Sequence, residues 1–238
     1  MTLQRQLPLP LSPTVVPSYD NFCAGPNGLV VGMLQRFTRA VDDKQMYLWG
    51  GVQSGKTHLL LATYNDSVAS GKRSFYISLK DNSVSADLFD ALDDYALLVI
   101  DDIDRIAGHK DWEQALFNLI NFVRERSGQI IFAASAAPAS DSWLLPDLVS
   151  RLSWGPVVKL QGLSDSDVRD ALMMAVEKKG LEMPAETADY LLKRHSRDVS
   201  SLLETVALID RESLAAGRAK ITIPFLKSCL AQNQTQKL

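Results

Sequence analysis

The sequence predicts an α/β fold: a parallel five-stranded sheet flanked by helices, followed by a small all-helical lid. Three observations carry this. A glycine-rich stretch, Gly50-Gly51-Val52-Gln53-Ser54-Gly55-Lys56-Thr57, joins a short apolar strand to a helical run. Apolar runs of strand length then alternate with helix-period segments as far as residue 160, the pattern of strand–helix–strand units. Beyond Leu163 the strand signals stop and only helical periodicity continues.

In order, residues 1–18 have proline at 8, 10, 13 and 17, with leucines between and almost no charge after Arg5. Such a leader cannot form a helix and is expected to be extended. Within it, Gln6-Leu7-Pro8-Leu9-Pro10-Leu11 reads either as a flexible tail or as a short linear motif that docks its leucines on a partner. Pro26 to Ala40 reads as a helix, with Leu29, Val30, Met33, Leu34 and Phe37 at helical spacing. Five strands follow: Gln45–Trp49, Ser74–Leu79, Ala96–Ile100, Gln129–Ala134 and Pro156–Leu160. Between the third and fourth, Trp112, Ala115, Leu116, Leu119, Ile120 and Val123 mark one face of a long helix. In the lid, Ser164 caps a helix that ends at Gly180. A second runs from about Pro184 to His195, and a third starts after Asp198 with Leu202, Leu203 and Val206. A fourth is capped by Thr222. The expected divisions are a leader (1–18), an α/β domain (19–162) and the helical lid (163–238).

Bulk properties exclude several classes. At 238 residues and 46% hydrophobic, the chain can bury a full core. A net charge of −3 gives no electrostatic case for binding DNA or an acidic membrane surface unaided. No apolar run approaches a membrane span. Cys23 and Cys229 fit no metal spacing and read as reduced thiols of a cytoplasmic protein.

The chemistry centres on the glycine-rich stretch. Glycines let the backbone curl so that its N–H groups point at phosphate oxygens, and the following helix N-terminus adds positive partial charge. Lys56 would reach the β- and γ-phosphates, and the Thr57 hydroxyl would ligate Mg²⁺. Asp101-Asp102 ends an uninterrupted apolar strand. There Asp101 would hold Mg²⁺ through its water shell, and Asp102 could orient or deprotonate a water. The same Asp-Asp-Ile-Asp run also reads as an acidic loop. Ser135, at the end of the fourth strand, reads both as a turn residue and as a group near the γ-phosphate. Arg151 has two readings as well: a surface pair with Asp147, or a guanidinium projected into a neighbouring subunit's site.

Taken together, these parts resemble the AAA+ ATPases, and most closely their DnaA-like branch. The likeness is carried by Tyr19-Asp20-Asn21-Phe22, Gly55-Lys56-Thr57-His58-Leu59-Leu60, Ile100-Asp101-Asp102-Ile103, Ser150-Arg151-Leu152-Ser153-Trp154-Gly155 and Lys193-Arg194, and spans about residues 19–231. The leader motif looks like a sliding-clamp-binding segment. A DnaA-like core with such a motif ahead of it, and no DNA-binding domain after it, is the architecture of the Hda regulators of replication initiation.

The resemblance implies an AAA+ P-loop NTPase fold and a nucleotide held by Asn21, Phe22, Gly50, Val52, Gln53, Ser54, Gly55, Lys56, Thr57, His58 and Ser135. It implies bound ADP (or ATP or another nucleoside diphosphate) with Mg²⁺ on Thr57 and Asp101. Arg151 would be an arginine finger acting in trans, and Asp102 the catalytic acidic residue of the chain's own site. DnaA and the DNA polymerase III sliding clamp (β subunit) are the implied partners. Any DNA contact would be indirect through the clamp, and a homo-oligomer is allowed. Where the family carries a nucleotide-sensing arginine in the lid, this sequence has Ser200, with Arg197 one turn earlier. A DnaA-like ATPase that hydrolyses its own ATP as a loader or remodeller is the competing class.

Overall fold

A computed structural model describes residues 16–40, 43–81, 84–92, 94–126, 128–139, 143–194 and 199–235. Its strands are β1 (Gln45–Trp49), β2 (Ser74–Ser78), β3 (Leu97–Asp101), β4 (Gln129–Ala134) and β5 (Val157–Lys159). They form one sheet in the order β2-β3-β4-β1-β5, with every pairing parallel. Parallel neighbours need helical crossovers, and these cover both faces. The helices are α1 (Gly28–Phe37), α2 (Lys56–Ala69), α3 (Lys110–Glu125) and α4 (Pro146–Leu152).

Alternation along each strand divides the core in two. Met46, Leu48, Leu97, Val99, Ile131 and Ala133 face one way and pack with Leu34 and Phe37 of α1 and Leu59 and Leu60 of α2. Tyr47, Leu98, Ile100, Ile130 and Phe132 face the other way and pack with Leu116, Leu119, Ile120 and Val123 of α3 and Leu148 and Leu152 of α4. The uninterrupted apolar strands follow directly, since both faces are covered. The first predicted helix begins as a 3₁₀ turn at Gly25–Asn27, and α1 itself ends at Phe37.

The lid comprises α5 (Asp165–Lys178), α6 (Ala185–Arg194), α7 (Val199–Ala216) and α8 (Ile223–Thr235). Ser164 caps α5: its hydroxyl accepts the Asp167 N–H at 3.2 Å, and Asp167 returns a bond to the Ser164 N–H at 2.8 Å. Val168, Leu172, Val176, Leu191, Leu202, Val206, Ile209 and Leu226 close the lid core. Leu203, next to the buried Leu202, lines a cavity between lid and sheet. Glu182 and Lys220 form an isolated parallel bridge between α5–α6 and α7–α8, a link the helical periodicity does not reveal. Among the described residues no helix is long and apolar enough to cross a membrane.

Candidate functional site

The glycine-rich loop leaves β1 at the carboxyl edge of the sheet, where ligands of open α/β folds bind. Gln53 and Gly55 take left-handed backbones, φ 63° and 90°. Alternation of this kind turns successive N–H groups toward one concavity. Two glycines are required by space. A Cβ on Gly50 would lie 2.6 Å from the Leu160 carbonyl oxygen, and one on Gly55 would lie 2.7 Å from the Phe22 ring. Among the described residues the buried Ser54 hydroxyl finds no partner, so a polar atom is left facing the loop interior.

Charge is concentrated beside the loop. Lys56 opens α2 and donates to the Gly50 and Gly51 carbonyls at 2.7 and 2.9 Å. Its half-burial lowers the pKa of the ammonium, against the opposing pull of Asp101, Asp102 and Asp104. Asp101 is fully buried. Desolvation pushes its carboxyl above the ordinary range, while the Thr57 hydroxyl pulls it back; the Asp102 charge adds to the rise. Thr57 Oγ1 donates to Asp101 Oδ2 at 2.6 Å, and the Asp102 N–H donates to Asp101 Oδ1 at 2.9 Å. Ser135 follows β4, and its hydroxyl donates to Asp104.

A cavity of about 610 Å³ opens over this loop, within the range of small-ligand sites. Asn21, Phe22, Val52, Gln53, Ser54, Gly55, Lys56, Thr57, His58, Asp102 and Ser135 line it. Gly50 lies behind the lining and serves as a Lys56 acceptor. Lys80, Asp104, Arg105, Cys23, Leu163, Val199 and Leu203 line it too and were not anticipated. Val199 and Leu203 are one α-turn apart, so a single stripe of α7 faces the cavity. Phe22 packs on His58 with ring centroids 5.4 Å apart, and His58 Nε2 meets the Ser18 carbonyl at 3.0 Å. One end is therefore a phosphate cradle and the other an apolar cleft shared by sheet and lid. The residues fit a nucleoside phosphate. They fit Mg²⁺ through Thr57 and Asp101; among the described residues no group of three His, Cys, Asp or Glu could hold a metal alone. The other ligands of such an ion would be water and phosphate oxygens, as is usual for Mg²⁺.

Arg151 stands apart from this cavity. It sits on α4, whose two ends are pinned. The fully buried Glu113 carboxylate accepts N–H groups of Leu144 at 2.9 Å and Leu145 at 2.8 Å ahead of the helix, and of Gly108 at 2.7 Å. At the other end Gln45 Nε2 donates to the Arg151 and Leu152 carbonyls at 2.8 and 3.1 Å. A Cβ on Gly155 would strike the Gln45 carbonyl oxygen at 1.9 Å. The guanidinium is held by Asn121 Oδ1, which accepts from Nε at 2.9 Å, and by the Trp154 ring 4.0 Å away. Arg124 stacks on the same indole at 3.9 Å. The alternative pair with Asp147 does not form among the described residues; Asn121 and Trp154 offer the planar group a bond and a ring face together.

Comparison with known proteins fits this geometry. The family model "Bacterial DnaA ATPAse domain" matches residues 17–159, and "Hda, lid domain" matches residues 165–230. The chain belongs to the Hda/DnaA-like family of AAA+ proteins. An uncharacterized protein of Haemophilus influenzae is 34% identical over 231 residues, covering 96% of this chain and 99% of that one. Domain III of Thermotoga maritima DnaA superposes with a TM-score of 0.73 at 21% identity, covering 94% of this chain and 98% of that one. AMPPCP-bound DnaA from Aquifex aeolicus gives 0.70 at 24% identity, covering 81% of this chain. The present chain spans 64% of that structure's length.

Gln6, Leu7, Pro8, Leu9, Pro10, Leu11 and Arg197 lie outside the described residues, as does the side chain of Ser200.

Proposed function

We propose that this AAA+ chain is a negative regulator of replication initiation. It holds a nucleoside diphosphate with Mg²⁺ in its own cavity and presents Arg151 to ATP bound by a partner ATPase, DnaA. The leader, through Gln6-Leu7-Pro8-Leu9-Pro10-Leu11, docks on the DNA-loaded sliding clamp and raises the local concentration of the regulator. The observation that carries this reading is the placement of Arg151: a guanidinium outside its own nucleotide cavity, oriented by Asn121 and Trp154 on a helix pinned at both ends. Transferred phosphoryl groups spread negative charge over their equatorial oxygens, and a forked donor from a partner stabilises it.

The test is hydrolysis of radiolabelled ATP preloaded on DnaA, with clamp and DNA present. Arg151→Ala should abolish the stimulation, a loss on the order of 10³-fold or more where such fingers operate. Arg151→Lys should be nearly as damaging, since lysine lacks the planar fork. Unchanged conversion by Arg151→Ala would leave a clamp-tethered adaptor. Rapid ATP turnover by the chain alone would favour a self-hydrolysing loader or remodeller.

A further inference from the structure

We propose that Arg105 recognises the terminal phosphate of a nucleoside triphosphate in this chain's own cavity, and so tells the triphosphate from the diphosphate; the inference rests on the nucleotide-site reading above. Three cations line the cavity: Lys56, Lys80 and Arg105. Two of them already have partners. Lys56 donates to the Gly50 and Gly51 carbonyls, and Lys80 Nζ meets Asp102 Oδ1 at 3.0 Å. The exposed Arg105 guanidinium has no ion pair among the described residues. Its neighbouring acids are turned elsewhere. Asp104 accepts the Ser135 hydroxyl and, at 3.3 Å, the Ser135 N–H. Asp102 Oδ2 accepts the Ser78 hydroxyl at 2.8 Å. A guanidinium left without an acid in a cavity is a donor for an anion that comes with the ligand.

The backbone that carries Arg105 is fixed. Asp102, at φ 59°, turns the chain out of β3 into a 3₁₀ turn, Ile103–Ile106. The Arg105 N–H donates to the Asp102 carbonyl at 3.0 Å, and the Ala107 N–H to the Asp104 carbonyl at 3.4 Å. Residues three apart lie above one another in such a turn. Ile103 and Ile106 therefore share its inner face, and both are buried in the core beneath α3. Arg105 is left on the outer face, where it lines the cavity.

Its place in the cavity decides which part of a nucleotide it meets. Phe22, Leu163, Val199 and Leu203 make one end apolar, and the loop from Ser54 to Thr57 lies between. Asp102, Asp104, Arg105 and Ser135 gather at the other end, just beyond β3 and β4. A nucleotide laid with its base in the apolar cleft runs its phosphates over the loop and brings the last of them to this end. There a triphosphate has a charged group that a diphosphate lacks. The planar fork of an arginine suits it, with two parallel N–H donors for two phosphate oxygens. Among the described residues the lid brings no charge to the cavity, since α7 turns Val199 and Leu203 to it.

The test is calorimetric titration of the full chain with Mg²⁺ and either ADP or AMPPCP, a triphosphate analogue that is not hydrolysed. Arg105→Ala should raise the AMPPCP Kd about tenfold, the scale of one hydrogen bond to a charged group, and leave the ADP Kd unchanged. Arg105→Lys should recover part of the AMPPCP affinity, because it keeps the charge and loses the fork. Lys56→Ala should weaken both ligands. An Arg105→Ala variant that weakens both ligands equally would overturn the proposal, since the side chain would then act on the site as a whole. An unchanged AMPPCP Kd would overturn it too, and weaker capture of DnaA by the same variant would give the guanidinium to the partner's surface instead. An unmutated chain that binds neither ligand would bring down the site and the proposal together. Binding of both ligands with no effect of Arg105→Ala would bring down the proposal alone.

Discussion

Glu113→Ala removes the carboxylate that gathers the segment ahead of α4, and the cost can be worked from its bonds. Three backbone N–H groups point at this fully buried side chain, those of Gly108, Leu144 and Leu145. A buried donor left unsatisfied costs about 1–3 kcal/mol. Leu144 and Gly108 are both exposed residues, so their N–H groups can turn to water; that of the half-buried Leu145 remains. One orphaned donor gives about 2 kcal/mol. For a chain of this size each kcal/mol lowers Tm by about 2–4 °C, so a fall of about 4–8 °C is expected. Circular dichroism melts of the nucleotide-free chain measure it. Glu113→Gln keeps the shape and one acceptor oxygen but turns an NH₂ toward a backbone N–H, so it should lose about half as much. A Glu113→Ala melt within about 3 °C of the unmutated protein would refute the reasoning, because it would mean those N–H groups find other partners.

Three further outcomes are expected. Lys56→Ala should lose the rise in Tm that ADP gives the unmutated chain, which at a hundredfold excess over Kd corresponds to about 2.7 kcal/mol; an equal rise in the variant would exclude the loop as the phosphate site. Burial holds the Asp101 proton more tightly in the folded chain than in the unfolded one. Its contribution to stability is therefore present at acid pH and lost as pH climbs through the raised value. Mg²⁺ needs the carboxylate, so the extra stabilisation Mg²⁺ gives with ADP should run the other way. It should fade as pH falls from neutrality, sooner than for a carboxylate of ordinary pKa 3.8, and disappear in Asp101→Asn. Equal Mg²⁺ effects at neutral and mildly acidic pH would contradict this. Replacing Gln6, Leu7 and Leu11 with alanine should abolish clamp binding in a surface-capture assay and leave ADP affinity alone; retained capture would mean that the leader is not the tether.

Much of the fold is written locally. Apolar runs such as Leu97–Ile100 announce strands covered on both faces, and Ser164 with Asp167 announces a helix start, because in each case the signal and its cause lie within a few residues. The phosphate loop is legible for the same reason. What escaped depends on contacts distant in the chain. Nothing in the helical periodicity marks Glu113 as buried; it is so because a loop 31 residues away brings N–H groups to it. Lys80 sits in an unremarkable turn and reaches Asp102 only because β2 and β3 end side by side. Leu203 shares a helix with the lid core but faces the cavity, a distinction of one helical position that periodicity alone does not settle. The two readings of Arg151 could not be separated in the sequence, since Asn121 arrives from another helix.

Strand β1 has the phosphate loop at its carboxyl end and, through Gln45, the arginine-bearing helix at its amino end. At about 3.3 Å per residue these lie about 13 Å apart along the strand, on opposite rims of the sheet. On the proposed reading, giver and receiver are different surfaces of the molecule. An encounter that uses them has a direction, head against tail. A row of such subunits ends with one exposed arginine and one cavity that no arginine serves, so a single added molecule at the right end is enough to change the state of its neighbour without a symmetric dimer ever forming.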